Sequence, residues 1–489
     1  MVITNQLKNQ HLIWRAGFGP MTEDVDQLRQ ASQAAVFKAL LKASAATPQY
    51  INVATNLAQE MMAGGADRRM KRSEMSAEEK KQLQKQSRQD LKNLNLTWLG
   101  EMVNSDAQLR EKMSLFWHGH FASRNQNIYY QQLLLDTIRQ HALGNFADLL
   151  HQVSKSAAML NFLNNNQNKK DHPNENFARE VMELFTMGRG HYSEQDVKEA
   201  ARAFTGWGAN PQGEFVFRQF QHDDRTKTVL GKSGNFDGDQ VLDILLEQKQ
   251  TARFICAKIY RYFVNDRLDD QRVEALATRF YQSHYDIQDL MEAIFTSDWF
   301  YAEQNIGCRI KSPIELLAGI RRILPMQIDN EEVQILIERV LGQVLFYPPN
   351  VAGWPGGTSW IDSSTLMFRL RLPQVFRDSG DLETRPKDDD DQMMGMKDSP
   401  EDSTARITGR GKNKAGRVVS VSINWDPYFQ LFERVQADQL TSSIADLLWQ
   451  TPKGIDPAWL NKYVDRSSRE TQIKSTTIDL MSTPEYQMC

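Results

Sequence analysis

Residues 171–207, DHPNENFAREVMELFTMGRGHYSEQDVKEAARAFTGW, decide the fold class of this chain. Apolar side chains recur at helical spacing in both halves of the stretch, first as Phe177, Val181, Leu184 and Phe185 and then as Val197, Ala200, Ala201 and Phe204. Pro173 suits the first turn of one helix, while Ser193 and Asp196 mark the start of the next. The pattern predicts two short helices, each with one buried face.

The same periodicity extends over most of the 489 residues and predicts a mainly α, large multi-helix globular fold. The helices that the spacing predicts most directly span 22–43, 239–265, 271–283, 286–298, 312–324 and 330–345. A further, exposed helix is predicted to begin near Ser76. Residues 206–240 differ, because they combine glycines and a proline with the alternating segment FVFRQF. This composition predicts a small β-hairpin insertion near 210–235.

Changes in composition divide the chain into segments. We expect a helical core over 1–373, which includes a charged, exposed segment at 64–90 and the hairpin and loop insertion at 206–240. Residues 377–417 contain a DDDD run, many Gly and Lys residues and few apolar side chains, which predicts a disordered insert. Helical patterning resumes at 425–489, and we expect this segment to pack on the core.

Composition and charge exclude several classes of function. The net charge of -4 gives no basic excess for nucleic acid, and no apolar run approaches the ~20 residues that cross a bilayer. The first residues, MVITNQLKNQ, do not resemble a secretory signal, so we expect a cytoplasmic protein; export would require that this start is a processed terminus. Three cysteines argue against a disulfide framework, and we expect Cys256 in the core and Cys489 as an exposed thiol.

The first cluster of polar residues is His118 and His120, in the motif FWHGHF. Neutral imidazole is the commonest ligand of several transition metals, so this pair is a candidate site for a divalent metal ion. On a continuous α-helix the two side chains diverge by about 200°, but they converge if Gly119 ends the helix. The alternative is that both histidines cap the helix by hydrogen bonds to main-chain carbonyls.

The second cluster contains four candidate catalytic residues, His172, Glu175, Arg179 and Glu180. Glu175 lies near the positive end of a helix dipole, which keeps the carboxylate ionised. Glu180 borders an apolar stripe, where a carboxylate is either paired or functional. The alternative is a buried structural ion pair between Arg179 and Glu180.

The third cluster is His222 and Asp223, which follow the predicted hairpin in a polar loop and complete the candidate catalytic set. A histidine beside carboxylates can bind a cation, but a turn stabilised by Asp hydrogen bonds accounts for the same residues. Near the start of the chain, His11 and Arg15 are expected to dock against an acidic interior.

Six motifs in this order resemble the bacterial DUF1800 family: HLIWRAGFG, FWHGHF, NENFAREVMELFTMG, YSEQDVKEAARAFTGW, HDDRTKTVLG and PPNVAGWPGG. The likeness runs from residue 11 to about 373. It implies a large, mainly helical protein and a partner of the sulfatase/alkaline-phosphatase-like DUF1501 family, beside which such proteins are often encoded. Members often have secretion signals, and the first residues of this sequence are not expected to be one. The family has no assigned activity, so the resemblance implies no catalytic residues.

Two functions are compatible with these residues. In the first, the three clusters meet in one cleft of a metal-dependent or acid–base enzyme, either a hydrolase or an oxidoreductase. In the second, the clusters are caps and ion pairs of a non-catalytic helical scaffold or binding partner, with Tyr347, Trp354 and Trp360 as interface anchors. We favour the enzyme, because a scaffold gains little from burying so many ionisable side chains.

Overall fold

The computed structural model describes residues 3–54, 76–210, 212–379, 419–451, 456–462 and 464–489. The described part is mainly α-helical, with strands only in three two-stranded sheets, which confirms the predicted fold class. In these residues we find no helix whose length and apolar character would let it cross a membrane. The predicted insert at 377–417 lies outside the described residues from position 380 onward, as do residues 64–75 of the charged segment.

The helices of the first half are α1 Asn5–Ala16, α2 Val25–Gln30, α3 Gln33–Ser44, α4 Ala77–Asn104, α5 Gln108–His120, α6 Ile128–His141, α7 Phe146–Lys155, α8 Ala157–Phe162, α9 Asn176–Glu180 and α10 Glu194–Ala203. Those of the second half are α11 Gly238–Leu246, α12 Lys249–Phe263, α13 Asp270–Gln282, α14 Ile287–Phe295, α15 Pro313–Ile323, α16 Glu332–Leu341, α17 Ser363–Asp378, α18 Asp426–Gln430, α19 Leu440–Leu448 and α20 Arg469–Met481. Short 3₁₀ helices span Thr22–Asp24, Asn165–Gln167, Gln219–Gln221, Asp298–Tyr301, Glu303–Asn305, Gly357–Trp360, Pro457–Lys462 and Glu485–Gln487.

The predicted hairpin insertion consists of two separate antiparallel hairpins. Strands β1 Trp207–Ala209 and β2 Phe215–Phe217 pair with each other, as do β3 Lys227–Val229 and β4 Lys232–Gly234. A third pair was not predicted, because its strands are far apart in sequence: β5 and β6 cover Met326–Ile328 and Val421–Ile423.

Several predicted helix boundaries are confirmed and others are wrong. The exposed helix α4 begins after Ser76, whose side chain accepts a hydrogen bond from Glu79 N in a capping box. The helix predicted over 22–43 is interrupted, because the Ser32 side chain accepts from Ala35 N and starts α3 there. The helix predicted over 239–265 is likewise two helices, α11 and α12.

Two large hydrophobic cores share the central helices. The first core contains most of the apolar side chains between α6 and residue 301, and the second joins α4 and α15–α17 to the C-terminal segment from residue 419. Helix α5 faces both, since Met113 packs in the first core and Leu115 in the second. Helix α5 is therefore the wall between the two cores.

The helix after Glu180 widens into a π-helix over Val181–Thr186. Its Thr186 hydroxyl donates to the Val181 carbonyl oxygen, at 2.7 Å. A π-turn changes the spacing of side chains along a helix, and such turns are frequent at functional positions. Side chains after residue 180 therefore leave the i, i+4 register that the sequence pattern assumes.

The loop at 346–361 crosses the end of α5. Gly353 has φ +79°, and a Cβ atom there would meet the carbonyl oxygen of Gly119. Trp360 is buried and Trp354 packs on His118 at 5.5 Å between ring centroids. Gly353 thus allows close contact between the loop and the FWHGHF helix.

We expect Gly353→Ala to lower the free energy of unfolding more than Gly356→Ala. Both glycines have positive φ, which costs an alanine about 1 kcal/mol, but only the Cβ at position 353 also meets main-chain atoms. Urea unfolding of the two variants measures the difference. Equal losses would show that the loop does not need this close approach.

Candidate functional site

His118 lies in the second core, where it is 2% exposed and packs against Trp98 and Phe346. Its Nε2 accepts a hydrogen bond from Phe346 N at 3.2 Å. Burial lowers the pKa of this imidazole to about 3, so the ring is neutral. The lone pair that a metal would use is therefore engaged by a main-chain N–H group.

His120 faces the first core, on the opposite side of α5. Its Nε2 donates to the Phe185 carbonyl oxygen at 3.2 Å, and its Nδ1 accepts from Lys258 Nζ at 3.0 Å. Burial and the Lys258 charge hold the pKa of His120 well below its usual value. Lys258 also donates to Leu184 O. The two side chains together satisfy carbonyl oxygens of the π-helix.

The second cluster lies on the surface between α9 and α10. Arg179 binds Glu175 at 3.0 Å and Glu194 at 2.7 Å, so the alternative of an Arg179–Glu180 pair is wrong. Glu180 is half-buried, and burial together with Glu183 raises its pKa. His172 is exposed, in a turn closed by its main-chain N–H group.

The third cluster lies at the other end of α10. The Asp223 carboxylate is buried and accepts from Arg225 at 2.6 Å and from Arg202 at 2.8 Å. These hydrogen bonds, those of Arg225 foremost, hold the Asp223 pKa well below its ordinary value. His222 Nδ1 donates to Thr205 O at 2.9 Å. Asp223 also accepts from Arg225 N, which is the turn that we gave as the alternative.

The structure brings the second and third clusters to the same helix but not to one pocket. Glu194 and Arg202, their contacts on α10, are separated by about 12 Å of helix. The histidines of the first cluster lie in two different cores. Among the described residues, no group of three or more His, Cys, Asp or Glu side chains is placed to bind a metal ion.

A cluster that the sequence analysis missed lies between the two cores. We call it the basic cluster, and it comprises Arg15, Lys112, Arg309, Lys311 and Arg369. None of the five is more than 7% exposed. They come from α1, α5, the segment before α15, and α17. The cluster therefore joins segments from distant parts of the chain.

Glu315 is the carboxylate at the centre of the basic cluster. Its Oε1 lies 2.5 Å from Lys112 Nζ and 3.9 Å from Arg309 Nη1. Burial alone would raise the pKa of Glu315, but the charges of Lys112 and Arg309 lower this pKa to about 2. Burial lowers the pKa of Lys112, yet its contacts with Glu315, Trp14 O and Gly17 O require the protonated amine.

The other cations of the cluster contact main-chain oxygens and aromatic rings. Arg15 donates to Asn305 O and Cys489 O, and within the described residues no Asp or Glu side chain accepts a hydrogen bond from it. Lys311 Nζ lies 3.7 Å and 3.9 Å from the ring centroids of Trp14 and Tyr486. Cys489 is itself buried, contrary to the exposed thiol that we expected, because Arg309 and Cys489 exchange two main-chain hydrogen bonds.

The model of one protein family, described as Protein of unknown function (DUF1800), matches residues 11–488. The chain belongs to the DUF1800 family. Comparison with curated proteins and with solved structures gave no match. The family match therefore confirms the resemblance seen in the six motifs and extends it over the C-terminal segment, but it assigns no activity.

Sequence signals for the basic cluster exist in this DUF1800 chain. The segment RIKSPIEL places Arg309, Lys311 and Glu315 around an N-cap serine, next to apolar residues of α15. The segment MFRLRLP places Arg369 in an equally apolar helix. A charge in such a position must be paired or satisfied, but the pattern alone does not name its partner.

Glu338 is a second buried carboxylate, on α16 next to the loop that contacts His118. Its Oε2 accepts from Asn95 Nδ2 at 2.6 Å and from Leu345 N. Burial raises the pKa of Glu338 to about 8. Glu338 Oε1 makes no hydrogen bond within the described residues, so a neutral carboxyl group costs less here than a carboxylate.

We expect Glu338 to contribute a fall in the free energy of unfolding of up to ~1.4 kcal/mol per pH unit as the pH rises from 4.5 to about 8, measured as the difference in slope between the unmodified protein and Glu338→Gln. Over this range the unfolded chain has lost the Glu338 proton, whereas the folded protein still binds it. Glu338→Gln keeps a neutral side chain and removes this contribution. Urea unfolding at several pH values measures it, with the exposed Glu332→Gln as control. A Glu338→Gln variant with the unchanged slope contradicts the assignment.

Proposed function

We propose that this protein is a non-catalytic helical binding protein whose partner is a sulfatase/alkaline-phosphatase-like protein of the DUF1501 family. One observation supports the non-catalytic proposal above all: predicted site residues make structural hydrogen bonds. The lone pairs of His118 and His120 accept from Phe346 N and Lys258, and Asp223 is paired with two arginines. A general base or metal ligand needs that electron pair for its substrate or ion.

The surface that we propose for the partner is the hairpin patch, which comprises Leu133, Phe217 and Phe220. These side chains are 39%, 38% and 73% exposed. Leu133 on α6 lies at the tip of the β1–β2 hairpin, since an added Cβ on Gly213 would be 3.1 Å from Leu133 Cδ1. Exposed aromatic side chains are typical of protein interfaces.

We expect Phe220→Ser to weaken binding of the DUF1501-family protein from the same organism by at least ~10-fold, because a central aromatic anchor contributes more than ~1.4 kcal/mol. Biolayer interferometry with both purified proteins measures the affinity. Met367→Ser, which changes a residue 61% exposed on α17, is the matched control. Absence of binding by the unmodified protein, or equal weakening by both variants, contradicts the proposal.

The second candidate is the metal-dependent or acid–base enzyme, a hydrolase or an oxidoreductase. Two observations favour it. A π-helix, which is frequent at functional positions, follows Glu180, and burial together with Glu183 raises the pKa of this half-buried carboxyl group. A divalent metal at His118 and His120, and the cytoplasmic location, stay predictions.

Elemental analysis distinguishes the two candidates. For a non-catalytic protein we expect sub-stoichiometric Zn, Fe, Mn, Cu and Ni, unchanged in a His118→Ala/His120→Ala variant. We also expect that variant to lose stability, by about 1–3 kcal/mol for each buried hydrogen-bond partner that it leaves unpaired. One metal ion per chain in the unmodified protein, lost from a variant that remains folded, would favour the enzyme.

A further inference from the structure

The charges of the basic cluster do not balance within the described residues. Five buried cations face one buried carboxylate side chain, that of Glu315, while the exposed Asp266 acts on Arg309 alone. Negative charge at Cys489 raises the pKa values of Lys112, Lys311 and Arg309, and it offsets one more of the five positive charges. An excess of about three positive charges remains away from water, where each unpaired ion costs several kcal/mol.

Hydrogen-bond donors of the cluster are also in excess. Arg15 Nε and Nη1, Arg309 Nε and Nη1, and Arg369 Nε make no hydrogen bond with any described residue. The same holds for Trp14 Nε1 and Tyr486 Oη, whose rings enclose the Lys311 ammonium. Buried guanidinium N–H groups normally donate a hydrogen bond, because a buried donor without an acceptor costs its full desolvation penalty.

These atoms belong to one connected region. Arg309 lies over the Tyr262 ring at 4.8 Å, and Lys112 Nζ is 5.9 Å from the same ring. Arg369 donates to Lys311 O at 2.8 Å. Arg15 Nη2 and Arg309 N share the Cys489 oxygen as acceptor.

We propose that the basic cluster is a buried binding site for one multiply charged tetrahedral oxyanion of the phosphate and sulfate class. Guanidinium groups from three separate segments provide buried N–H donors without a hydrogen bond, and an oxyanion would accept charge-assisted hydrogen bonds from them. A singly charged anion would leave most of the positive excess in place. Because every cation of the cluster is nearly fully buried, the ligand is a small, enclosed ion that links the two cores, independent of the partner surface.

The charge state of Lys311 agrees with a ligand of this charge. Burial lowers the pKa of Lys311 to about 7, so the amine alone would be half-deprotonated at neutral pH. A nearby dianion would raise that pKa and keep the ammonium between its two rings charged.

The first test uses the full-length protein as purified. After exhaustive dialysis against NaCl it is denatured, and the released anions are quantified by ion chromatography. The dialysed protein is also titrated with inorganic phosphate and with sulfate at constant ionic strength. The heat of binding is measured by calorimetry, and the melting temperature is measured at each anion concentration. We expect either about one released phosphate or sulfate per chain, or a saturable rise in melting temperature with 1:1 stoichiometry. Neither a released anion nor a saturable response beyond that of chloride overturns the proposal.

The second test compares two buried arginines. Arg309→Met should weaken the phosphate response at least ~10-fold, because each charge-assisted hydrogen bond contributes more than ~1.4 kcal/mol. Arg322→Met is the matched control: Arg322 is also buried, and burial lowers its pKa to about 10, but its guanidinium donates to Gly19 O and Val103 O outside the cluster. Equal weakening in both variants shows a general effect on stability and contradicts the site. If Arg309→Met does not fold, Arg309→Lys and the released-anion measurement decide.

Discussion

The ion pair between Lys112 and Glu315 is the interaction on which the rest of this structure depends. It lies between the two hydrophobic cores, and Lys112 also bonds the main chain at the end of α1 through Trp14 O and Gly17 O. Two charges buried in this way are stable only when both partners and their remaining donors are satisfied. The pair therefore fixes the relative positions of α1, α5 and α15, from which the apolar packing of both cores follows.

Buried polar groups of the FWHGHF motif are likewise satisfied, here by main-chain groups. Its two histidines project to opposite sides of α5, where His120 satisfies a π-helix carbonyl and His118 accepts from the loop after α16. Neither imidazole is charged, since burial lowers both pKa values. A motif that resembles a metal site by composition is here a connector between secondary-structure elements.

Periodicity predicted the fold class because it depends on local spacing, which packing preserves. The capping box at Ser76 and the hairpins after residue 206 were predictable for the same reason, since caps and turns are short-range interactions. The strand pair β5–β6 was not, because its partners are far apart in sequence. The register after Glu180 was not predictable either, because the helix continues there as a π-helix, in which Glu183 accepts hydrogen bonds from Arg189 and Tyr192.

In the candidate site, too, short-range features were predictable and contacts between distant residues were not. Residue types identified the histidines and acids, but not the hydrogen bonds that engage them, because Phe346, Lys258 and Arg202 are remote in sequence. The basic cluster was missed for a related reason. Its five cations occur singly or in pairs in segments that each look like ordinary helix or turn, and only the tertiary fold brings them together.

The hydrogen bond from Arg15 to the Cys489 carbonyl oxygen spans 474 positions of sequence. At translation rates of about 5–20 residues per second, the acceptor is synthesised on the order of tens of seconds after the guanidinium. During that interval the first helix has no access to its native acceptor, and the boundary between the cores is incomplete on the ribosome. The boundary between the cores is therefore completed only after residue 489 has been synthesised, and shorter nascent chains expose apolar surface that a chaperone would have to shield.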